Sequence, residues 1–293
     1  MSNMSKVSVR VLLRGGLGNQ LFCWAAGYSL SRRLNAKLVL DPRKISVGDY
    51  SNLDKRDFGL DYFGIPLNVG LPSLKVRLAP HFKMRKGFNP KSSKNRVFRE
   101  SSTDFDPRFD EISERVTLDG YFQSWKYFER HQAEILQLLE ENASPSENFH
   151  SQYRKLRPLR WIAVHVRQGD YLRTGDMNLV KKHYYDRALS ILKDKMDFQK
   201  IVVFSDDIAR ARSIVGNADL YLGQGDLAGA GDALHLMSRA DGFVGANSTL
   251  SWWAAFLGKA GPELKFFPRP WYRDDKFSTR DLLLPGWSSL DSF

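Results

Sequence analysis

Four short stretches hold the residues whose chemistry stands out. His165-Val-Arg167-Gln-Gly-Asp170-Tyr171 sets an imidazole, a guanidinium and a carboxylate close together. Ser205-Asp206-Asp207 and Asn247-Ser248-Thr249 are polar triplets after apolar runs, and Gly15-Gly16-Leu-Gly18-Asn19-Gln20 is a glycine-rich turn carrying two amides. A guanidinium suits two-pronged contact with a diphosphate. Ser248 and Thr249 can cap a helix whose free N–H groups hold an anion. An arginine beside a helix N-terminus is a diphosphate clamp that needs no divalent ion. Asp170 is the carboxylate nearest the clamp in sequence and the first candidate for a general base. It could equally be a partner of Arg167 or of a backbone N–H.

Such groups work only if strands and helices bring them together. Val7–Leu13 reads as a strand, followed by the glycine-rich turn and an apolar-periodic helix from Leu21 to Leu34; Ala36–Leu40 reads as a second strand. From Pro42 to Asp110 the pattern is irregular, then Val116–Leu118 reads as a strand and Tyr127–Glu141 as a helix. Asn142 to Asn148 reads as a linker, and Arg157-Pro158 as a further break. Beyond it strands at Trp161–Val166, Ile201–Phe204 and Gly242–Ala246 alternate with helices at His183–Lys195, Ile208–Val215, Asp232–Arg239 and Leu250–Gly258. That alternation implies α/β architecture with parallel sheets. Ligands then bind at the carboxyl ends of strands, where all four polar stretches fall.

The first turn has a rival reading. Gly16-x-Gly18 between strand and helix is similar to a dinucleotide fingerprint, with Asp41 at the end of the second strand. The third glycine position is Leu21, which argues against a nicotinamide enzyme. Gly16 and Gly18 instead allow a ligand or another domain to approach the backbone.

A chain of 293 residues with 42% hydrophobic content has ample apolar area for one or two domains. Its single cysteine, Cys23, permits no intrachain disulfide and no cysteine-rich metal site. With no apolar run near the roughly 20 residues of a membrane span and no targeting segment, a cytoplasmic protein is expected. Net charge is +11, and between Tyr62 and Arg99 there is no acidic residue, while nine lysines and arginines occur there. A solvated loop is the plain reading of that segment; contact with a membrane surface, a phospholipid-linked acceptor or nucleic acid is the functional one. No nucleic-acid motif accompanies it, so nucleic acid is not expected as a partner.

Taken in order, His165-Val-Arg167-Gln-Gly-Asp170-Tyr171 resembles the first signature of the α-1,2-, α-1,6- and protein O-fucosyltransferases. Gly15-Gly-Leu-Gly-Asn-Gln20 resembles the N-terminal motif of the α-1,2 family. Asp119-Gly-Tyr121-Phe-Gln123-Ser-Trp125-Lys-Tyr-Phe128, Phe204-Ser-Asp-Asp207, Leu236-Met-Ser238 and Asn247-Ser-Thr-Leu-Ser-Trp-Trp-Ala-Ala-Phe-Leu257 also look like that family's blocks.

The resemblance to bacterial-type α-1,2-fucosyltransferases of glycosyltransferase family 11 implies a GT-B fold, two Rossmann-like domains facing a cleft. The acceptor side is then residues 1–155 and the GDP-fucose side 156–293, with the C-terminal tail packing back on the first. It implies inverting transfer of L-fucose to the 2-hydroxyl of a β-galactoside, as in O-antigen assembly, with no metal or cofactor beyond the donor. The acceptor is then an oligosaccharide or a lipid-linked glycan, and the basic segment is the expected place of any peripheral contact with the inner membrane face.

Carried over, Arg167 holds the diphosphate with His165 in support, while Asn247, Ser248 and Thr249 bind phosphate. Gly16, Gly18, Gln20, Ser205, Asp206, Asp207 and Asp232 are further donor-side candidates. The family's acidic residue near guanine falls here on Ala233, which puts Asp232 next to it in that role. Asn19 is expected to orient the acceptor, and Tyr121, Gln123 and Trp125 to line it. An α-1,6-fucosyltransferase sharing the arginine motif remains the alternative, and a basic nucleic-acid-binding protein a remote one.

Overall fold

The computed structural model describes residues 8–45, 57–67, 96–168, 180–274 and 277–292. Two parallel sheets organise them. The first contains β1 (Ser8–Leu12), β2 (Lys37–Asp41), β3 (Arg96–Phe98) and β4 (Val116–Leu118) in the order β2-β1-β4-β3. Val9 pairs with Leu38 on one side and Val116 on the other. Alternation in β1 buries Val9 and Val11 completely and leaves Arg10 on the opposite face, 3.0 Å from Asp41.

The second sheet contains β5 (Trp161–Val166), β6 (Lys200–Ser205), β7 (Leu220–Leu222), β8 (Gly242–Val244), β9 (Lys265–Arg269) and β10 (Ser288–Asp291), in the order β10-β9-β8-β5-β6-β7. Every pairing is parallel. From the β7 edge the chain order runs third, second, first, fourth, fifth, sixth. The direction of winding reverses between β5 and β8, where a doubly wound sheet opens a crevice. β5 is buried at all six positions, as a strand covered on both faces must be.

The helices are α1 (Leu17–Arg33), α2 (Gln132–Glu141), α3 (Glu147–Leu156), α4 (Lys182–Lys195), α5 (Ile208–Ile214), α6 (Ala230–Met237) and α7 (Thr249–Leu257). α1 starts four residues before the expected Leu21, because Gly16 serves as N-cap and the glycine-rich turn is already helical by Leu17. The expected helix Tyr127–Glu141 begins as a 3₁₀ segment at Trp125 and breaks at Phe128, with φ −133°, before α2.

The supposed linker carries the start of α3. Ser146 caps it by accepting the Phe149 N–H at 3.3 Å. Strands β3, β7, β9 and β10 are additional to the expected set. β9 contains Pro268, which reads as a breaker in sequence yet ends up opposite Leu290 of β10.

One apolar core runs through both sheets. The Phe22 ring of α1 lies 4.6 Å from Trp252 and 5.2 Å from Trp253 of α7, and Phe128 stacks on Trp253 at 5.6 Å. All four rings are essentially buried; truncation of one such ring typically costs about 3–5 kcal/mol. A second cluster, with Ile162, Val164, Tyr184, Tyr185 and Phe266, covers the other face of the larger sheet. The C-terminal segment is tied to the N-terminal half: Thr103 Oγ1 donates to the Ser278 carbonyl at 2.6 Å, and Lys126 Nζ reaches Asp281 at 2.7 Å. Among the described residues no helix is long and apolar enough to cross a membrane.

Candidate active site

The carboxyl ends of β5 and β8 are neighbours, since Val164 pairs with Val244. This adjacency places His165 and Arg167 beside Asn247–Thr249 at the sheet's switch point. Arg167 is mostly buried and Nη1 pairs with Asp206 Oδ2 at 3.1 Å. The other carboxylate oxygen of Asp206 accepts the Gln168 N–H at 3.2 Å. Asp206 therefore fixes the Arg167 loop from the adjacent strand end and orients the guanidinium.

His165 is almost fully buried, and its Nδ1 lies 2.5 Å from Ser251 Oγ. That hydroxyl also accepts the Ala246 N–H at 3.1 Å, so it links the end of β8 to the imidazole. Burial first, and the Arg167 charge second, push the His165 pKa down to about 4, with Asp206 acting in the opposite direction. The ring is neutral at physiological pH. Ser251 was not singled out in sequence, although it lies one helical step beyond the Asn247–Thr249 triplet.

Ser248 N-caps α7, its Oγ accepting the Leu250 N–H at 3.3 Å. Asn247 Nδ2 donates to the Trp271 carbonyl at 2.8 Å, anchoring the loop. The N-terminus of α1 comes to the same place. A Cβ on Gly18 would stand 2.5 Å from the Thr249 carbonyl carbon and 2.6 Å from the Leu250 nitrogen, so only glycine permits this packing. Gly18 thus serves the close approach of α1 to α7, the second of the two uses expected of this turn. Gly16 differs: a Cβ there would meet nothing within 4 Å, and α1 has neither a side-chain cap nor an acidic residue in its first turn. Two helix N-termini with their partial positive charges therefore meet at the sheet edge, and the His165–Ser251 bond ties α7 to the strand end that carries Arg167.

Other expected donor residues are committed elsewhere. Gln20 is fully buried; its Nε2 donates to the Gly15 and Asp57 carbonyls, both at 2.8 Å, and its Oε1 accepts the Gly59 N–H at 3.0 Å. Ser205 Oγ accepts the Asp207 N–H at 3.0 Å, closing a local turn. Asp207 N-caps α5 by accepting the Arg210 N–H at 3.0 Å. Asp232, 1% exposed, accepts from Ser146 N and Ser146 Oγ and from Ala228 N. It joins α3 to α6 through these three donors. Asp170 lies outside the described residues, as does most of the basic segment.

On the acceptor-side candidates, Gln123 Nε2 donates to Asn19 Oδ1 at 2.9 Å, and Tyr272 donates its hydroxyl to Gln123 Oε1 at 2.7 Å. This relay leads from α1 to the C-terminal segment. The Arg14 guanidinium lies 5.5 Å from the centre of the Tyr121 ring. The Tyr121 and Phe122 N–H groups are both held by Glu100, at 2.6 and 3.1 Å, which supports Phe122 at a φ of +54°. Trp125 stands further out, in the wall of a cavity described below.

A cluster unexpected from sequence sits beneath Tyr121. Each strand of the smaller sheet ends in one member: Arg14 after β1, Lys44 after β2, Arg99 after β3 and Asp119 after β4. Arg14, Lys44 and Arg99 reach the buried Asp119 carboxylate at 2.7, 2.9 and 3.0 Å. Burial opposes ionisation of Asp119, but Lys44 and Arg14 outweigh it and hold the pKa at about 2.

The sequence matches glycosyl transferase family 11 over residues 8–291. The chain belongs to that family. Among relatives of this family-11 glycosyltransferase, the Escherichia coli O-antigen biosynthesis glycosyltransferase WbnK is 28% identical, covering 95% of this chain and 99% of the relative. An Escherichia coli alpha-1,2-colitosyltransferase is 26% identical, covering 95% and 97%. The solved structure of an Arabidopsis thaliana FUT1 mutant in complex with GDP superposes with a TM-score of 0.54 over 94% of this chain and 74% of that one, at 14% identity. The family-11 chain has the α/β GT-B fold implied by its motifs.

Proposed function

We propose that this glycosyltransferase transfers L-fucose from GDP-fucose, with inversion and without a metal ion, to the 2-hydroxyl of a β-galactoside-ended glycan. The observation that carries this reading is the meeting of the α1 and α7 N-termini, through Gly18 against Thr249, at the strand end that bears Arg167. As the glycosidic bond breaks, negative charge grows on the departing diphosphate. A guanidinium and two sets of helix N–H dipoles stabilise that charge in place of a divalent ion.

His165, neutral and fixed by Ser251, supports the donor loop. The second sheet and its loops would hold the donor, and Asn19, Gln123 and Tyr121 would face the acceptor. The names of the two bacterial relatives support fucose-like donors and O-antigen glycan acceptors.

The test is to incubate the purified protein with GDP-fucose and N-acetyllactosamine in EDTA, with GDP-colitose run beside it. Linkage and anomeric configuration are read by NMR. An α-1,2-linked product is expected. A 1,6-linked product, or transfer restored only by manganese, would overturn the corresponding part of the reading.

A further inference from the structure

Beyond the transfer site lies a cavity of about 500 Å³ between the N-terminal half and the C-terminal segment. Its walls include Trp125, Lys126, Trp271, Arg280, Asp281 and Trp287. The size is typical of small-molecule sites, which run from about 300 to 1,000 Å³ and combine apolar walls with a few polar groups.

Two links place it next to the transfer site. Trp125 follows Gln123 by two residues, so their Cα atoms are at most about 7.6 Å apart, and Gln123 holds both Asn19 and Tyr272. On the opposite wall, Trp271 precedes Tyr272 and its carbonyl accepts the Asn247 amide of the donor loop at 2.8 Å. The cavity therefore lies next to the Asn19–Gln123–Tyr272 relay and to the Asn247 loop.

The lining has a distinct chemistry. Trp125 is partly exposed and stands at the start of its 3₁₀ segment, fixed there by the Ser124 cap. Arg280 is largely exposed, 3.4 Å from Asp104. Lys126 and Asp281 are paired at 2.7 Å, and Asp281 also accepts the Phe105 N–H at 3.2 Å, so the cavity is braced from both halves. The partly exposed Trp125 ring, with the Lys126 ammonium 6.0 Å from its centre, and the polar side chains beside it suit a sugar ring, which presents C–H groups on one face and hydroxyls at its rim.

We infer that this cavity is a carbohydrate subsite that takes the sugars beyond the terminal disaccharide of an oligosaccharide acceptor. The inference rests on the glycosyltransfer reading above and extends it from the reacting sugar to the acceptor chain. Such a subsite makes the enzyme select for acceptor length, because contacts remote from the reacting hydroxyl act only on chains long enough to reach them.

The experiment compares N-acetyllactosamine with lacto-N-neotetraose, a tetrasaccharide ending in the same disaccharide. Thr279→Tyr fills the cavity from its lining, and Arg280→Ala removes a rim donor with little risk to folding; thermal melting checks both. Thr279→Tyr is expected to raise the KM for the tetrasaccharide at least tenfold with kcat unchanged, while kinetics on the disaccharide stay within twofold. Arg280→Ala should show the same pattern, smaller.

Saturation-transfer NMR on the unmodified protein is the independent arm. The inner galactose and glucose of the tetrasaccharide should receive saturation, and should lose it in a folded Thr279→Tyr protein. Equal effects on both acceptors, or no saturation of the inner sugars in the wild type, would overturn the subsite. If the inner sugars are saturated while GDP-fucose yields no product, the transfer reading fails and the subsite stands.

Discussion

Arg167 provides the most direct test of the donor site. Its guanidinium is 22% exposed and one nitrogen is held by Asp206 at 3.1 Å. Arg167→Ala removes the cation that would face the departing diphosphate. Loss of one pre-organised donor to developing negative charge costs about 2.7–4 kcal/mol in the transition state. At 1.36 kcal/mol per tenfold, kcat/KM for GDP-fucose should fall by roughly a hundredfold to a thousandfold. Arg167→Lys should recover little, because an ammonium cannot both stay on Asp206 and present a planar fork.

The same substitution takes from Asp206 the guanidinium at 3.1 Å, while the Gln168 N–H stays. Some stability is lost for that reason alone, by about 1–3 kcal/mol. The double variant Arg167→Ala/Asp206→Ala separates the two effects. It should regain part of the melting temperature while activity stays at the single-variant level. Activity returning together with stability would show that Arg167 matters only as half of an ion pair, and the donor-site reasoning would fail.

Three further outcomes are expected. Gly18→Ala should lower stability by about 1–3 kcal/mol despite alanine's better helix propensity, because the added Cβ meets backbone rather than a movable side chain; an unchanged melting temperature would contradict the close approach of α1 and α7. Asp232→Asn should destabilise the protein while leaving the preference for GDP over ADP donors unchanged, measured by competition binding, since the carboxylate is occupied by Ser146 and Ala228. The His165 imidazole should titrate near 4 by NMR and move upward in Arg167→Ala, because the Arg167 charge that lowers it is removed while Asp206, which raises it, remains. Its folded pKa lies below the unfolded value, so stability tied to this group is present above about 6.5 and declines as pH falls toward 4; transfer at pH 6–8 should show no limb from it.

The strand-end chemistry was legible because apolar runs followed by polar triplets mark parallel strands even in one sequence. Trp161–Val166 appears in the structure with the expected bounds. Arg167 and Ser248 stand at one sheet edge, as expected of parallel strands whose ends carry the polar residues. The small edge strands were not legible: β3, β7 and β10 have three or four residues each, too few to show a period. Helix α3 hid behind a polar composition, its stability coming from Ser146, Asp232 and the contact of Phe149 with His235, at 4.9 Å between ring centres. Ser251 looked like one more polar residue on an apolar helix, and only the fold brings it to His165.

The carboxylates were where sequence and structure diverged, and the reason is physical. With 44 basic and 33 acidic residues, this chain has more cations than acidic partners. A buried carboxylate in such a protein attracts several donors at once, which offset its desolvation. Asp119 collects three cations, Asp206 binds Arg167 and a backbone N–H, and Asp232 takes three donors from two segments. Asp41 and Asp106 each grip an arginine and cap a turn. An acidic residue after a strand therefore reads as a catalytic or nucleotide contact in sequence, yet acts here as a hub that positions cations. Under the proposed function that division suits an anionic leaving group: among the described residues Asp119, Asp206 and Asp232 hold cations and loops in place, and Arg167 and the helix N-termini would meet the diphosphate.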